Sequence, residues 1–153
     1  QLKKEDTVYD LYTGTGTIAL SLAKDCKKII GVESVAEAIG AAKKNAQLNG
    51  IKNASFEVGD MKECFNDSFI SRHGKPDVVI TDPPRDGMHK DVVAQLLKIA
   101  PKRIVYISCN SATQARDLEL MKESYNFIKS QAVDMFPQTH HVENVVLLQS
   151  KTT

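Results

Sequence analysis

Residues 8–20, V-Y-D-L-Y-T-G-T-G-T-I-A-L, constrain the fold of this chain more than any other stretch. The apolar residues at its start predict a buried strand, and the helical period of apolar residues from position 18 predicts a helix. Gly14 and Gly16 lie between them and allow the backbone to approach a ligand closely. The start of the helix adds unpaired N–H groups and a positive dipole end. The sequence therefore predicts a site for a nucleotide-like ligand at this turn.

Two cofactors fit the turn, and a tight turn without any ligand is a third interpretation. Gly14, Gly16 and Ala19 satisfy the dinucleotide fingerprint, and Glu33 ends the next apolar run, where an acidic group would bind the ribose hydroxyls. Asp10 favours S-adenosylmethionine over NAD. Its carboxylate would repel a pyrophosphate and attract the positively charged amino group of S-adenosylmethionine.

Length and composition limit the class of protein. A chain of 153 residues with 42% hydrophobic and 25% charged residues is typical of one globular domain. The net charge of +1 gives no overall electrostatic footprint for nucleic acid. No run is long and apolar enough for a membrane span and no signal-peptide pattern opens the chain, so we expect a cytoplasmic protein.

The cysteines and the first residues carry two further expectations. Cys26, Cys64 and Cys109 lie far apart and are odd in number, which favours neither a disulfide framework nor a zinc site. We interpret Cys26 and Cys64 as small buried hydrophobic residues. Because a strand begins almost directly after Gln1, we expect this chain to be a segment of a longer protein.

The order of elements predicts the fold class. Strands are predicted at residues 7–12, 28–33, 54–58, 77–81, 103–108, 127–135 and 142–149. Helices are predicted at residues 16–24, from a cap at Ser34 to Asn49, from about Met61, and at residues 90–99 and 112–124. This order indicates an α/β, doubly wound, mostly parallel seven-stranded Rossmann-like sheet whose last two strands pair antiparallel. Ligands of such sheets bind outside the carboxyl ends of the strands.

Asp82-Pro83-Pro84 follows the most apolar strand. Two prolines fix two φ angles and remove two N–H donors, so Asp82 and the adjacent carbonyls are held toward the ligand edge. Such a loop can grip a planar base, although Asp-Pro is also an ordinary strand exit. Amino-methyltransferases that use this motif place an aromatic residue after it, where this chain has Arg85, which argues against methylation of an exocyclic amine.

Cys109 suggests different chemistry because it ends a strand at the ligand edge. A thiol there can be a nucleophile that adds to carbon 6 of uracil and activates carbon 5 toward a methylsulfonium. A base must then remove the carbon 5 proton, and Glu143 is the candidate. The adjacent His140 and His141 do not favour a metal site, since neighbours in an extended segment point to opposite faces and lack a third ligand.

Five segments in this order, D-L-Y-T-G-T-G-T, G-V-E, T-D-P-P-R-D-G, Y-I-S-C-N and D-M-F-P-Q-T-H-H-V-E, resemble the S-adenosylmethionine-dependent RNA uracil-5 methyltransferases, which make 5-methyluridine in tRNA or rRNA. The resemblance covers residues 8–148. It implies Cys109 as the nucleophile and Glu143 as the proton acceptor. It also implies a set of cofactor-contacting residues, namely Tyr12, Gly14, Gly16, Thr17, Glu33 and Asp82, to which Asp60 is added by analogy with methyltransferases in general. Thr13 stands where many members have cysteine.

The resemblance also implies what this chain lacks. Members usually carry an N-terminal β-barrel RNA-binding domain, so we expect residues 1–153 to be a single catalytic domain that binds cofactor weakly and methylates RNA poorly on its own. Three alternatives remain at this point: an amino-methyltransferase, a nicotinamide-dependent oxidoreductase and a non-catalytic RNA-binding module. The choice between tRNA and rRNA and the oligomeric state also stay open.

Overall fold

The computed structural model describes residues 1–135, 137–139 and 141–152. The strands are β1 (Thr7–Leu11), β2 (Lys28–Glu33), β3 (Ala54–Val58), β4 (Val78–Thr81), β5 (Arg103–Ser108), β6 (Tyr125–Val133) and β7 (Glu143–Ser150). The helices are α1 (Thr17–Leu22), which continues as a 3₁₀ turn (Ala23–Asp25), α2 (Ala36–Leu48), α3 (Met61–Cys64), α4 (Asp67–His73), α5 (Lys90–Ile99) and α6 (Ser111–Met121). None of the described helices is both long and apolar enough to cross a membrane.

The strands form one sheet in the order β3-β2-β1-β4-β5-β7-β6. β1 to β5 pair in parallel, whereas β7 runs antiparallel to both β5 and β6. The predicted doubly wound sheet with antiparallel last strands is therefore confirmed. The strand order reverses between β1 and β4, and in such sheets this reversal opens a crevice at the carboxyl ends of the two strands.

Helices cover both faces of the sheet, which explains the continuous apolar runs of β1 and β4. Successive strand residues contribute to opposite cores. Val8 packs with Ile39 and Phe56 beside α1 and α2, whereas Tyr9 packs with Phe69 under the helices of the other face. Because both faces are buried, all four residues of β4 are buried as well.

Two local predictions are corrected. Ser34 does not cap α2; the helix has Val35 as its N-cap residue, and Glu33 Oε1 accepts the hydrogen bond from the Val35 N–H at 3.0 Å. α4 was not predicted from the sequence. Asn66 caps it by accepting from the Phe69 N–H at 3.1 Å, and Phe69 then packs edge-on against Tyr9 with ring centroids 5.3 Å apart. A long-range aromatic contact therefore stabilises a short helix with little periodicity of its own.

Candidate functional site

Three residues of the glycine turn after β1 have positive φ angles and adopt a left-handed backbone conformation. Tyr12, Gly14 and Gly16 have φ angles of 63°, 54° and 81°. The turn is tied to β2 because the Thr13 N–H donates to the Val32 carbonyl at 3.0 Å. A Cβ on Gly16 would lie 3.0 Å from the Phe56 ring, whereas a Cβ on Gly14 would meet no atom within 4 Å. Gly16 is thus required by packing, and Gly14 leaves open space in front of the turn.

Asp10 does not face the ligand side as the sequence suggested. It is 1% exposed, and its Oδ2 accepts hydrogen bonds from Thr13 Oγ1 at 2.5 Å and from the Ala19 N–H at 3.2 Å. Burial raises the pKa of Asp10 to about 6, and the charge of Asp82 adds to the shift. The carboxylate therefore joins the turn to the start of α1.

A cleft of about 600 Å³ opens at the carboxyl ends of β1, β2, β3 and β4. Four of the predicted cofactor residues line it: Tyr12, Glu33, Asp60 and Asp82. Gly14, Gly16 and Thr17 are not among its lining residues, and Thr17 is exposed with its hydroxyl 3.4 Å from Thr15 Oγ1. The volume lies within the range of about 300–1,000 Å³ that is usual for small-molecule sites.

The polar groups of the cleft differ in how many hydrogen bonds they already make within the protein. Glu33 Oε1 accepts from Ser34 Oγ and the Val35 N–H, and Glu33 Oε2 accepts from the Gly14 N–H at 3.2 Å. A carboxylate offers about four lone-pair positions, so Oε2 keeps capacity for another donor. Asp60 caps α3 through one oxygen, which accepts from the Lys62 N–H at 2.9 Å. Burial raises the pKa of Tyr12 to about 12, so its phenol stays protonated at neutral pH.

Cys109 and Glu143 come directly beyond the last ladder pair of β5 and β7. In the antiparallel ladder of β5 and β7, Ile107 pairs with Val145 and Ser108 with Asn144. The next residues in the same register are Cys109 and Glu143, so they stand opposite each other where the two strands separate. Partial burial raises the pKa of Asp82 to about 6, and the charge of Glu143 raises it further. Glu143 therefore lies close enough to Asp82, a lining residue of the cleft, for its charge to act on it.

One carboxyl oxygen of Glu143 has no hydrogen-bond partner among the described residues. Oε2 of Glu143 is buried and accepts no hydrogen bond from any described residue. A buried carboxylate oxygen without a partner is costly in a folded protein and is a mark of functional sites. Among the described residues this oxygen has no donor, so it can accept a hydrogen bond or a proton from a bound substrate.

α6 holds the loop after β4, and sequence reasoning missed this role. Asn110 caps the helix, and its Nδ2 donates to the Arg85 carbonyl at 3.1 Å. Asp117, 1% exposed, accepts from Tyr106 Oη at 2.7 Å and from the Met88 N–H at 2.8 Å. Arg116 also donates to it at 2.7 Å. The sequence signal for this role is the spacing of Asp117 and Met121. They are one helical turn apart, so the acidic residue shares the buried face of α6 with an apolar one.

No group of three His, Cys, Asp or Glu side chains within the described ranges could hold a metal ion. His140, one member of the predicted histidine pair, lies outside the described residues. His141 Nδ1 is 3.5 Å from Arg85 Nη2. The second histidine therefore lies beside the loop that follows β4.

Comparison with known proteins assigns the family. The model of the tRNA (uracil-5-)-methyltransferase family matches residues 1–151. The chain therefore belongs to the tRNA (uracil-5-)-methyltransferase family. The resemblance noted in the sequence is thus confirmed. An uncharacterized RNA methyltransferase of Bacteroides thetaiotaomicron is 60% identical over 148 residues, which cover 97% of this chain and 33% of that protein. One of Porphyromonas gingivalis is 58% identical over 153 residues, 99% of this chain and 33% of that protein.

Solved structures show the same fold in this family and beyond it. The tRNA (uracil-54, C5)-methyltransferase of Pyrococcus abyssi, in complex with S-adenosyl-L-homocysteine, superposes with a TM-score of 0.82 at 37% identity, over 96% of this chain and 35% of that one. An rRNA methylase of Streptococcus thermophilus reaches 0.76 at 15% identity, over 97% of this chain and 89% of that one. The sheet is that of class I S-adenosylmethionine-dependent methyltransferases, and the chain spans about a third of the length of its family relatives.

The raised pKa of Asp10 predicts a pH-dependent effect of Asp10→Asn on stability. A carboxyl whose folded pKa exceeds the unfolded value stabilises the fold fully below the unfolded pKa, and that contribution is lost as the pH rises through about 6. Relative to the wild type, Asp10→Asn should therefore gain free energy of unfolding as the pH rises. The gain should be roughly 2–3 kcal/mol between pH 4 and pH 7.5. Urea unfolding at the two pH values measures it. Asp134→Asn, the same change at an exposed position, is the control and should show no such rise. A pH-independent difference for Asp10→Asn would contradict the assignment.

Proposed function

We propose that this chain is the catalytic part of an enzyme that transfers a methyl group from S-adenosylmethionine to carbon 5 of a uridine in RNA. The observation that carries the proposal is the register of β5 and β7, in which Cys109 and Glu143 are the residues directly beyond the Ser108–Asn144 pair, with the charge of Glu143 acting on Asp82 of the cleft. Family membership and the RNA methyltransferase names of the relatives support it.

The cleft fits S-adenosylmethionine in its chemistry. Glu33 Oε2 retains acceptor capacity for a ribose hydroxyl, the open side of Gly14 gives space for close approach, and Tyr12 and Asp60 provide further contacts. The Pyrococcus abyssi relative was solved with S-adenosyl-L-homocysteine, the product left after methyl transfer. When bound, the cofactor supplies an electrophilic methyl group on a sulfonium.

Cys109 would start the reaction on the uracil. Its thiol gives its proton to solvent water, Sγ forms a bond to carbon 6, and the electron pair of the C5–C6 double bond moves onto carbon 5 and the neighbouring carbonyl oxygen at carbon 4. Carbon 5 thereby becomes nucleophilic enough to take the methyl group. Asp82, held at the edge of the cleft by two prolines, lies where it can orient the base or the methyl-bearing end of the cofactor.

Glu143 would complete the reaction. After methylation carbon 5 still carries its hydrogen, and the carboxylate accepts that proton while the electron pair of the C–H bond restores the enolate. The enolate then re-forms the C5–C6 double bond and expels the Cys109 thiolate. The buried Oε2, which has no partner among the described residues, is the oxygen suited to receive the proton.

The RNA itself would be held largely by parts of a longer protein. This chain has a net charge of +1 and spans about a third of the length of its relatives. Most phosphate contacts require clustered lysine and arginine side chains, so we assign the greater part of RNA affinity to regions outside residues 1–153. Assays of activity therefore use the full gene product that carries this sequence.

Glu33→Gln tests the cofactor site. The amide keeps the shape of the side chain but replaces one acceptor oxygen with a donor, so S-adenosylhomocysteine should bind at least about tenfold more weakly. Isothermal titration of this chain measures the affinity. Glu37→Gln, exposed in the first turn of α2, is the matched control and should bind as the wild type does. Equal affinity of Glu33→Gln and Glu37→Gln would remove Glu33 from the site, and tighter binding of NAD than of S-adenosylhomocysteine would favour the oxidoreductase.

Covalent trapping tests the reaction. With S-adenosylmethionine and RNA containing 5-fluorouridine, the fluorine at carbon 5 cannot leave as a proton, so the wild type should give a shifted band on a denaturing gel. Cys109→Ala should abolish the band, whereas Cys64→Ala should retain it. Methyl transfer to ordinary RNA that persists in Cys109→Ala would overturn the uracil-5 mechanism and favour an amino-methyltransferase that uses Asp82. RNA binding without methyl transfer or adduct would favour a non-catalytic module. Parallel tRNA and rRNA substrates decide the target class.

A further inference from the structure

Gln114 lies under the point where β5 and β7 separate. Its side chain on α6 is 1% exposed, although glutamine is a residue that proteins mostly keep at the surface. Nε2 donates to the Tyr106 carbonyl of β5 at 3.0 Å and to the Asn144 carbonyl of β7 at 3.1 Å. Oε1 accepts from Asn144 Nδ2 at 2.6 Å. One buried amide therefore joins α6 to both strands.

These bonds fix Asn144 from two directions. Gln114 binds both the main chain and the side chain of Asn144, and Asn144 Oδ1 accepts from Ser130 Oγ of β6 at 2.8 Å. Asn144 forms the last ladder pair of β7 with β5, opposite Ser108. The residue beyond this pair is Glu143. Its position thus depends on how firmly Asn144 is held.

Glu143 has less support of its own. It pairs with Val133 of the edge strand β6, and its buried Oε2 makes no hydrogen bond within the described part of the chain. Because no hydrogen bond holds this oxygen among the described residues, the place of the carboxyl group depends on how the backbone of residue 143 is held. Gln114 is the buried polar group that provides this fixation from the helix side.

The residues on either side of Cys109 make hydrogen bonds that do not involve the Gln114 side chain. Ser108 Oγ accepts from the Asn110 N–H at 3.0 Å, and the Asn110 side chain caps α6. Loss of the Gln114 amide leaves these contacts in place. The two halves of the reaction should therefore respond differently to a change at Gln114.

We propose that Gln114 is a positioning residue that holds Asn144, and through it the Glu143 carboxylate, opposite Cys109. This inference rests on the proposed function. Its consequence is selective: without the Gln114 amide, bond formation between Cys109 and carbon 6 continues, whereas removal of the carbon 5 proton slows.

The test separates the two steps in single-turnover reactions of the full gene product. RNA labelled with tritium at carbon 5 of uridine reports proton removal as released tritium, and a denaturing gel reports the covalent adduct. The variant is Gln114→Leu, which has a similar volume and no hydrogen-bonding group. Gln95→Leu, the same change at a half-buried position of α5 that contacts Asp67, is the matched control. Affinity for S-adenosylhomocysteine reports whether each variant is folded.

We expect Gln114→Leu to bind S-adenosylhomocysteine within twofold of the wild type and to release tritium at least tenfold more slowly. Its adduct should accumulate, as in Glu143→Gln, and Gln95→Leu should match the wild type. Tritium release at the wild-type rate, or equal losses of adduct and tritium release, would overturn the inference. A wild type without a Cys109-dependent adduct would overturn the proposed function itself and this inference with it, which is a distinct result.

Asn144→Ala keeps the test decisive if Gln114→Leu does not fold. This half-buried position loses both side-chain bonds, to Gln114 and Ser130, but keeps its main-chain bond to Gln114. A smaller loss of tritium release with a retained adduct is expected. Wild-type tritium release in this variant would contradict the inference.

Discussion

The antiparallel insertion of β7 between β5 and β6 is the constraint on which the candidate site depends. Cys109 follows β5 and Glu143 begins β7, 34 positions apart in sequence. A parallel β7 would place its first residue at the opposite edge of the sheet. Because β7 runs antiparallel, its second residue, Asn144, pairs with Ser108, the last residue of β5. Glu143 and Cys109 are the residues that come directly beyond this pair on the two strands.

α6 and its N-cap residue hold the elements at that edge together through hydrogen bonds. Asn110, Gln114 and Asp117 lie along one helix and bind the loop after β4, the start of β7 and the β5 tyrosine Tyr106. Each buried polar group has its partners, so removal of any one leaves another unpaired at a cost of roughly 1–3 kcal/mol. These contacts join the loop after β4 to the strands that carry Cys109 and Glu143, the two residues proposed to act on the uracil.

Much of the fold could be predicted from the sequence, because apolar runs bounded by glycine and proline indicated the strands. The order of the strands then indicated which edge of the sheet would carry a ligand site. Glu33, Asp60 and Asp82 were placed at the cleft by that logic. Asp10, Gln114 and Asp117 could not be understood in the same way. Their hydrogen-bond partners are distant in sequence or depend on the geometry of loops. Gln114 and Asn144, for example, are 30 positions apart. A sequence pattern therefore cannot show whether such a polar residue faces ligand, solvent or core.

A disulfide scan at the β5–β7 edge tests most directly whether position 143 faces Cys109. Residues directly opposite in antiparallel strands have Cα atoms about 4.5–5.5 Å apart, within the range that a disulfide spans. In a Cys26→Ala, Cys64→Ala background, Glu143→Cys should form a disulfide with Cys109 under mild oxidation, detected by peptide mass spectrometry. Val142→Cys, one position away, should form it much more slowly. Equal rates at the two positions, or no bond from position 143, would contradict the register and the site built on it.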